Sequence, residues 1–209
     1  MNLDIVKFLI VFPIVLFSIT IHEVAHGWAA LKMGDPTAKY MGRLTLNPIR
    51  HLDPVGSLLL PLLLFLTGMP VFGWAKPVPV DFRRLRDQRM GYVFVGLSGP
   101  LANISLALFV GLVIRVMPVN IFTELLTFIF FLNMILALFN LIPFPPLDGS
   151  RVLFGLLPQE NRFILHRFEK YGLIILMVLI FTGAFKMIFQ FFFLPVISLF
   201  YFFITGYSL

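Results

Sequence analysis

The sequence predicts an all-α membrane protein: a polytopic bundle of about five to six transmembrane helices, with a re-entrant hairpin and short cytoplasmic strands. Three observations predict it. Of 209 residues, 59% are hydrophobic and only 12% charged, and the mean hydropathy of +0.97 lies far outside the balance of a soluble domain. Several apolar runs approach or exceed the roughly 20 residues that a helix needs to cross the hydrocarbon core. The lysines and arginines gather in the loops between those runs, as topology signals facing anionic headgroups do.

The first apolar helix covers about residues 5–31. Its head carries only Lys7 against Asp4, and the run from Phe8 to Ile21 leads directly into charged and imidazole groups. A cleaved signal peptide would lack those groups, so the helix is expected to be retained. Next, "GDPTAKYMGRLTLNPIRHLDPVG" is rich in Gly, Pro and Asn with brief alternation, which predicts turns and short strands.

The following apolar stretch, 55–68, is short and interrupted by Pro61. Lys32, Lys39, Arg43 and Arg50 precede it, while Lys76, Arg83, Arg84, Arg86 and Arg89 follow. Both flanks therefore ask to be cytoplasmic, and the stretch reads as a re-entrant hairpin, with a tilted or paired span as the alternative. Helices near 91–117 and 121–142 then carry the chain out and back, delivering "PPLDGSR" to the cytoplasmic side. The aromatic-rich tail, 172–206, has room for two helices turning near Lys186. Together these form one domain over 1–209, with a core of about 5–155 and C-terminal helices at 172–206.

The net charge of +6 is the topology signal just described, so no nucleic-acid partner is expected; the lipid bilayer is the surrounding partner. The chain has no cysteine, which excludes disulfides, thiolate metal ligands and cysteine nucleophiles. Any metal site must use His, Asp or Glu.

Such residues occur where they are costly. In "SITIHEVAHGWAALK", His22 and His26 lie four apart on one helical face, close enough for both imidazoles to bind one zinc ion. Glu23 sits one position along. Three protein ligands and one water make a catalytic zinc site, in which Glu23 takes the proton of the water and passes one to the leaving amine. Ionisable groups in a transmembrane helix cost about 2.5–3.5 kcal/mol each on insertion scales, so an idle cluster is hard to maintain there.

Asp148, in "NLIPFPPLDGSR", is the candidate third ligand, because the topology brings it to the same membrane side as the end of the first helix. Pro143, Pro145 and Pro146 break the preceding helix, and Gly149 permits a tight turn. A solvated Asp in a helix-terminal turn is the alternative. Glu124 falls at the opposite end of its helix, and Asp53 and Asp81 lie in loops. His51 and His166 are assigned to surface or packing. Asn140 and Asn103 are carboxamides in apolar helices: they either hydrogen-bond helices together or hold a substrate peptide, the first reading being favoured for Asn103. In "KPVPV", Pro77 and Pro79 leave one edge of an extended segment without donors, which suits either strand addition by a substrate or a plain linker.

The pair "HEVAH" at 22–26 and "NLIPFPPLDG" at 140–149 resembles the site-2 protease family of intramembrane zinc metalloproteases, which combines HExxH in one helix with NxxPxxxxDG at the end of another. The "SGPLAN" stretch at 98–103 is similar to the helix between them, so the resemblance spans most of residues 18–155. It implies one zinc per chain held by His22, His26 and Asp148, Glu23 as base, and Asn140 as a substrate contact. It further implies cleavage of membrane-embedded helical segments, in a short form without PDZ or CBS domains. The expected location is the cell membrane, multi-pass, with the active site towards the cytoplasm. Two other classes fit intramembrane His and carboxylates: a metal-ion carrier, and a non-cleaving relative that binds membrane helices. The adjacent glutamate and complete ligand set argue against both.

Overall fold

The computed structural model describes residues 2–68, 73–158, 171–172, 174–179 and 182–208. Its first element, α1 (Asn2–Lys32), contains Pro13. The portion from Leu9 to Lys32 is 24 residues, about 36 Å at 1.5 Å per residue, enough for the roughly 30 Å hydrocarbon core. Leu9, Ile10, Phe17 and Trp28 are exposed on it, whereas Ser18, Thr20, His22, Val24, His26 and Ala30 are buried. The polar residues of the helix thus turn inward, as a membrane environment requires.

By its contacts the chain divides into two units, Met1–Arg86 and Asp87–Leu209. In the first, α1 is followed by α2 (Thr37–Tyr40), a 3-10 turn at Pro48–His51 and a helical arm over Pro54–Leu66, whose α-helical part is α3 (Leu60–Leu66). No strand occurs among the described residues, which corrects the expectation of short strands. Asp35 accepts the Thr37 N–H, Asn47 that of Ile49, and Asp53 those of Val55 and Gly56. Amides that a strand would have paired are held by these local caps, which favour turns over ladders.

The apolar arm returns to where it began. The Trp74 N–H donates to the Gly56 carbonyl at 3.1 Å, and the Ser57 hydroxyl to the Trp74 carbonyl at 2.7 Å. The arm Pro54–Leu66 is at most about 20 Å long, short of a crossing. Its entry and exit share hydrogen bonds, so it is a hairpin, the shape that the re-entrant expectation requires.

In the second unit, the Asp87 carboxylate accepts the Met90 N–H and starts α4 (Gln88–Val116). A reciprocal capping box between Asn120 and Thr123 starts α5 (Ile121–Asn140), satisfying amides at the helix mouth. After a proline-rich turn comes α6 (Asp148–Leu156), and the last long helix is α7, Ala184–Thr205, with a π-turn at Phe189–Phe193. Ala107, Val110, Ile114, Phe130, Met134, Phe193, Ile197 and Tyr201 form the core of α4, α5 and α7.

Four described helices are long and apolar enough to cross a membrane, so the protein is a polytopic helical membrane protein. The turn expected near Lys186 falls earlier, at Gly183, whose φ of 77° is a left-handed conformation that glycine adopts readily. Residues 171–172 and 174–179 are helical; His166 and the basic residues Arg162, Arg167 and Lys170 lie outside the described residues.

Candidate metal centre

On α1 the two histidines converge. Their Nε2 atoms are 3.1 Å apart, the rings meeting edge to face with centroids 4.7 Å apart. His22 is 6% exposed and His26 3%. Two nitrogens bound to a tetrahedral zinc at about 2.0–2.1 Å stand about 3.3–3.4 Å from each other, so the observed spacing fits that ion. The i, i+4 relation produces this convergence directly.

Glu23, half-buried, is held by a segment far along the chain: its Oε2 accepts the Val78 N–H at 2.7 Å. The segment 76–80 belongs to no helix or strand and is pinned at several points. The Lys76 N–H donates to the His51 carbonyl at 2.9 Å, Arg43 Nη2 donates to the carbonyls of Lys76 at 2.6 Å and Pro77 at 3.3 Å, and the Asp81 N–H donates to Asp35 Oδ2 at 2.7 Å. Its Lys76 and Val78 amides are therefore engaged within the chain, and the segment serves as a strut rather than an open edge for an incoming strand. His51 is fully buried, its Nε2 2.9 Å from the Thr45 carbonyl, which is a packing role.

Asp148 opens α6 and is 5% exposed, not solvated. Its Oδ1 accepts a hydrogen bond from Arg151 Nη1 at 3.0 Å, and its place in the first helical turn suits a carboxylate. The local sequence dictates this placement. Pro143, Pro145 and Pro146 end α5 by removing donors, and the chain tightens through Phe144 N–H to Ile142 and Leu147 N–H to Phe144. Gly149 follows because a Cβ there would lie 2.3 Å from the Leu141 carbonyl and 2.4 Å from that of Ile142. Beside α6, a Cβ on Gly96 of α4 would meet the Asp148 carbonyl at 2.9 Å.

Asn103 is fully buried, and its Nδ2 donates to Asn133 Oδ1 at 2.7 Å; Asn133 in turn donates to the Ile129 carbonyl. Asn140 is partly buried and its Nδ2 donates to the Leu136 carbonyl at 2.9 Å. Asp53 and Asp81 are turn caps. Sequence reasoning overlooked three participants: Asn133, Arg43 and Arg151. Only Arg151 left a signal, three residues after Asp148 and so on the same helical face.

His22, His26 and Asp148 are buried residues of a type that could hold a metal ion, one ligand atom from each. Two imidazoles and a carboxylate suit zinc.

The description "Peptidase family M50" matches residues 115–183. A protein of Bacillus subtilis (strain 168) named "Putative zinc metalloprotease YwhC" is 41% identical over 191 residues, covering 86% of this chain and 83% of the relative. "Putative zinc metalloprotease Rip2" of Mycolicibacterium smegmatis is 32% identical over 186 residues, covering 85% of this chain and 70% of the relative. A protein of Methanocaldococcus jannaschii, "Putative zinc metalloprotease MJ0611", is 40% identical over 60 residues, 28% of this chain and 31% of its own. No solved structure matches the chain.

Proposed function

Because the chain belongs to peptidase family M50, the site-2 protease family, and is a zinc metalloprotease of the membrane, we propose that it hydrolyses peptide bonds in or near transmembrane helices of protein substrates. In this reading His22, His26 and Asp148 hold one zinc ion and Glu23 is the general base. The two units then act as one proteolytic domain over 1–209.

The observation that carries the reading is the 3.1 Å approach of the two Nε2 atoms inside a helix of membrane-crossing length. Depth supports the third ligand. His26 and His22 lie six and ten residues before Lys32, about 9–15 Å from the polar end of α1; Asp148 packs beside Gly96, eight residues or about 12 Å into α4 from Gln88.

Zinc, when bound, supplies Lewis acidity that polarises the scissile carbonyl and acidifies water. Glu23 takes a proton from the attacking water as its oxygen bonds to the carbonyl carbon, then returns a proton to the nitrogen as the C–N bond breaks. Oε2 accepts the Val78 N–H, and in this reading the proton is taken by Oε1, the oxygen that Val78 leaves to the water. Asn140, at the end of α5, is the residue we assign to holding the substrate backbone. Asn103 stays with Asn133 in the helix contact.

The basic residues flanking the re-entrant hairpin, Arg43 and Arg50 before it and Arg83, Arg84 and Arg86 after it, favour a site facing the cytoplasm in the cell membrane. The test is Glu23→Gln, assayed on a fluorogenic peptide carrying one apolar helix in detergent micelles. Zinc stays at one per chain while kcat falls by about 10²–10⁴-fold. Retained cleavage would refute the assigned base.

A further inference from the structure

We propose that Arg43 is a positioning residue for the general base, its guanidinium fixing the 76–78 backbone so that the Val78 amide fixes the Glu23 carboxylate. The inference deepens the reading above and rests on Glu23 being the base.

The chain of contacts is short and lies within the first unit. Arg43 is 6% exposed, and its own N–H is tied to the Ala38 carbonyl at 2.9 Å, so the side chain starts from a fixed point. One nitrogen, Nη2, donates to two successive carbonyls, those of Lys76 and Pro77. The next residue is Val78, whose side chain is 7% exposed and whose N–H reaches Glu23 Oε2 at 2.7 Å. On the same side of Val78, the His51 carbonyl also holds the Lys76 N–H.

The sequence of this segment makes Val78 the single point of action. Pro77 and Pro79 have no N–H, so between Lys76 and Val80 only the Val78 amide is available to reach the carboxylate. Prolines also fix φ on both sides of it, which limits how the amide swings once the carbonyls are held.

A guanidinium is an expensive filler. Burying a cation is costly unless it is well hydrogen-bonded, and apolar residues would pack the same space at less cost. Its Nε has no hydrogen-bond partner among the described residues. The two carbonyl bonds are thus what its side chain contributes, and both fall on the residues leading into Val78. Lysine, a point charge without the planar fork, holds two carbonyls less rigidly.

Displacing a catalytic group by about 1 Å costs up to about 10²-fold in rate. The expected signature is therefore in kcat, with zinc and KM retained. The second readout needs no cleavage. Hydrogen exchange over residues 76–80 reports only the amides of Lys76, Val78 and Val80, because the prolines have none.

The experiment compares wild type, Arg43→Ala, Arg43→Lys and Glu23→Ala in zinc content, Val78 amide exchange and cleavage of the same fluorogenic helical peptide. Arg43→Ala is expected to exchange at Val78 about tenfold faster or more and to lose about 10–100-fold in kcat with zinc still bound, with Arg43→Lys intermediate. Glu23→Ala is expected to free the Val78 amide alone. Unchanged Val78 exchange in both Arg43 variants, or a kcat loss that only follows loss of zinc, overturns the proposal. If Arg43→Ala does not fold, Arg43→Lys against Glu23→Ala decides. Cleavage by Glu23→Gln would instead refute the base and leave the exchange result standing.

Discussion

Arg151 donates from Nη1 to Oδ1 of Asp148 at 3.0 Å, one turn further along α6. A ligating carboxylate is commonly oriented by such a partner, and losing the partner costs about 10–100-fold in metal affinity. Arg151→Gln is accordingly expected to weaken zinc binding by about that factor while the protein remains folded, measured by competition with a graded chelator. Unaltered zinc affinity in a folded variant would leave Arg151 with a topological role only.

Asn103 and Asn133 meet across α4 and α5, both fully buried. In lipid, apolar packing between helices gains little from excluding water, so a hydrogen bond between them is a distinct contributor, measured at about 0.6 and up to about 1.7 kcal/mol. A double-mutant cycle of Asn103→Ala and Asn133→Ala in detergent unfolding is expected to return a coupling in that range. KM for the fluorogenic peptide is expected to stay unchanged in Asn103→Ala. A raised KM with no coupling would restore Asn103 as a substrate contact.

What was legible in the sequence is what periodicity and cost make visible. His22 and His26 stand four apart inside an apolar run, and that spacing alone fixes a shared face. The proline cluster 143–146 announces the end of α5 and the freeing of Asp148. The turn-rich segment 35–56 misled because Thr45 to Ile49 alternates like a strand, whereas Asp35, Asn47 and Asp53 cap the neighbouring amides. Arg43 was read only as a topology charge. Its partners are the carbonyls of residues 33 and 34 positions later, and a backbone acceptor carries no side-chain signature. Asn133 was hidden for a related reason: one polar residue in an apolar helix gains meaning only once the helix opposite is known.

The re-entrant hairpin makes the last prediction, and the absence of cysteine from the chain makes it clean to measure. Trp74 closes on Gly56 and Ser57, so the backbone leaves and returns at one level. Arg50 and Arg83 bracket the excursion and are both exposed. Single cysteines at Arg50 and Arg83 are therefore expected to react with a membrane-impermeant maleimide from the same face of sealed vesicles. In inverted vesicles that expose the cytoplasmic face both are labelled, and in right-side-out cells neither is. Reaction from opposite faces would mean that Pro54–Leu66 belongs to a complete crossing. It would also place the segment 76–80 on the far side from α2, which the Arg43 bonds to Lys76 and Pro77 do not permit.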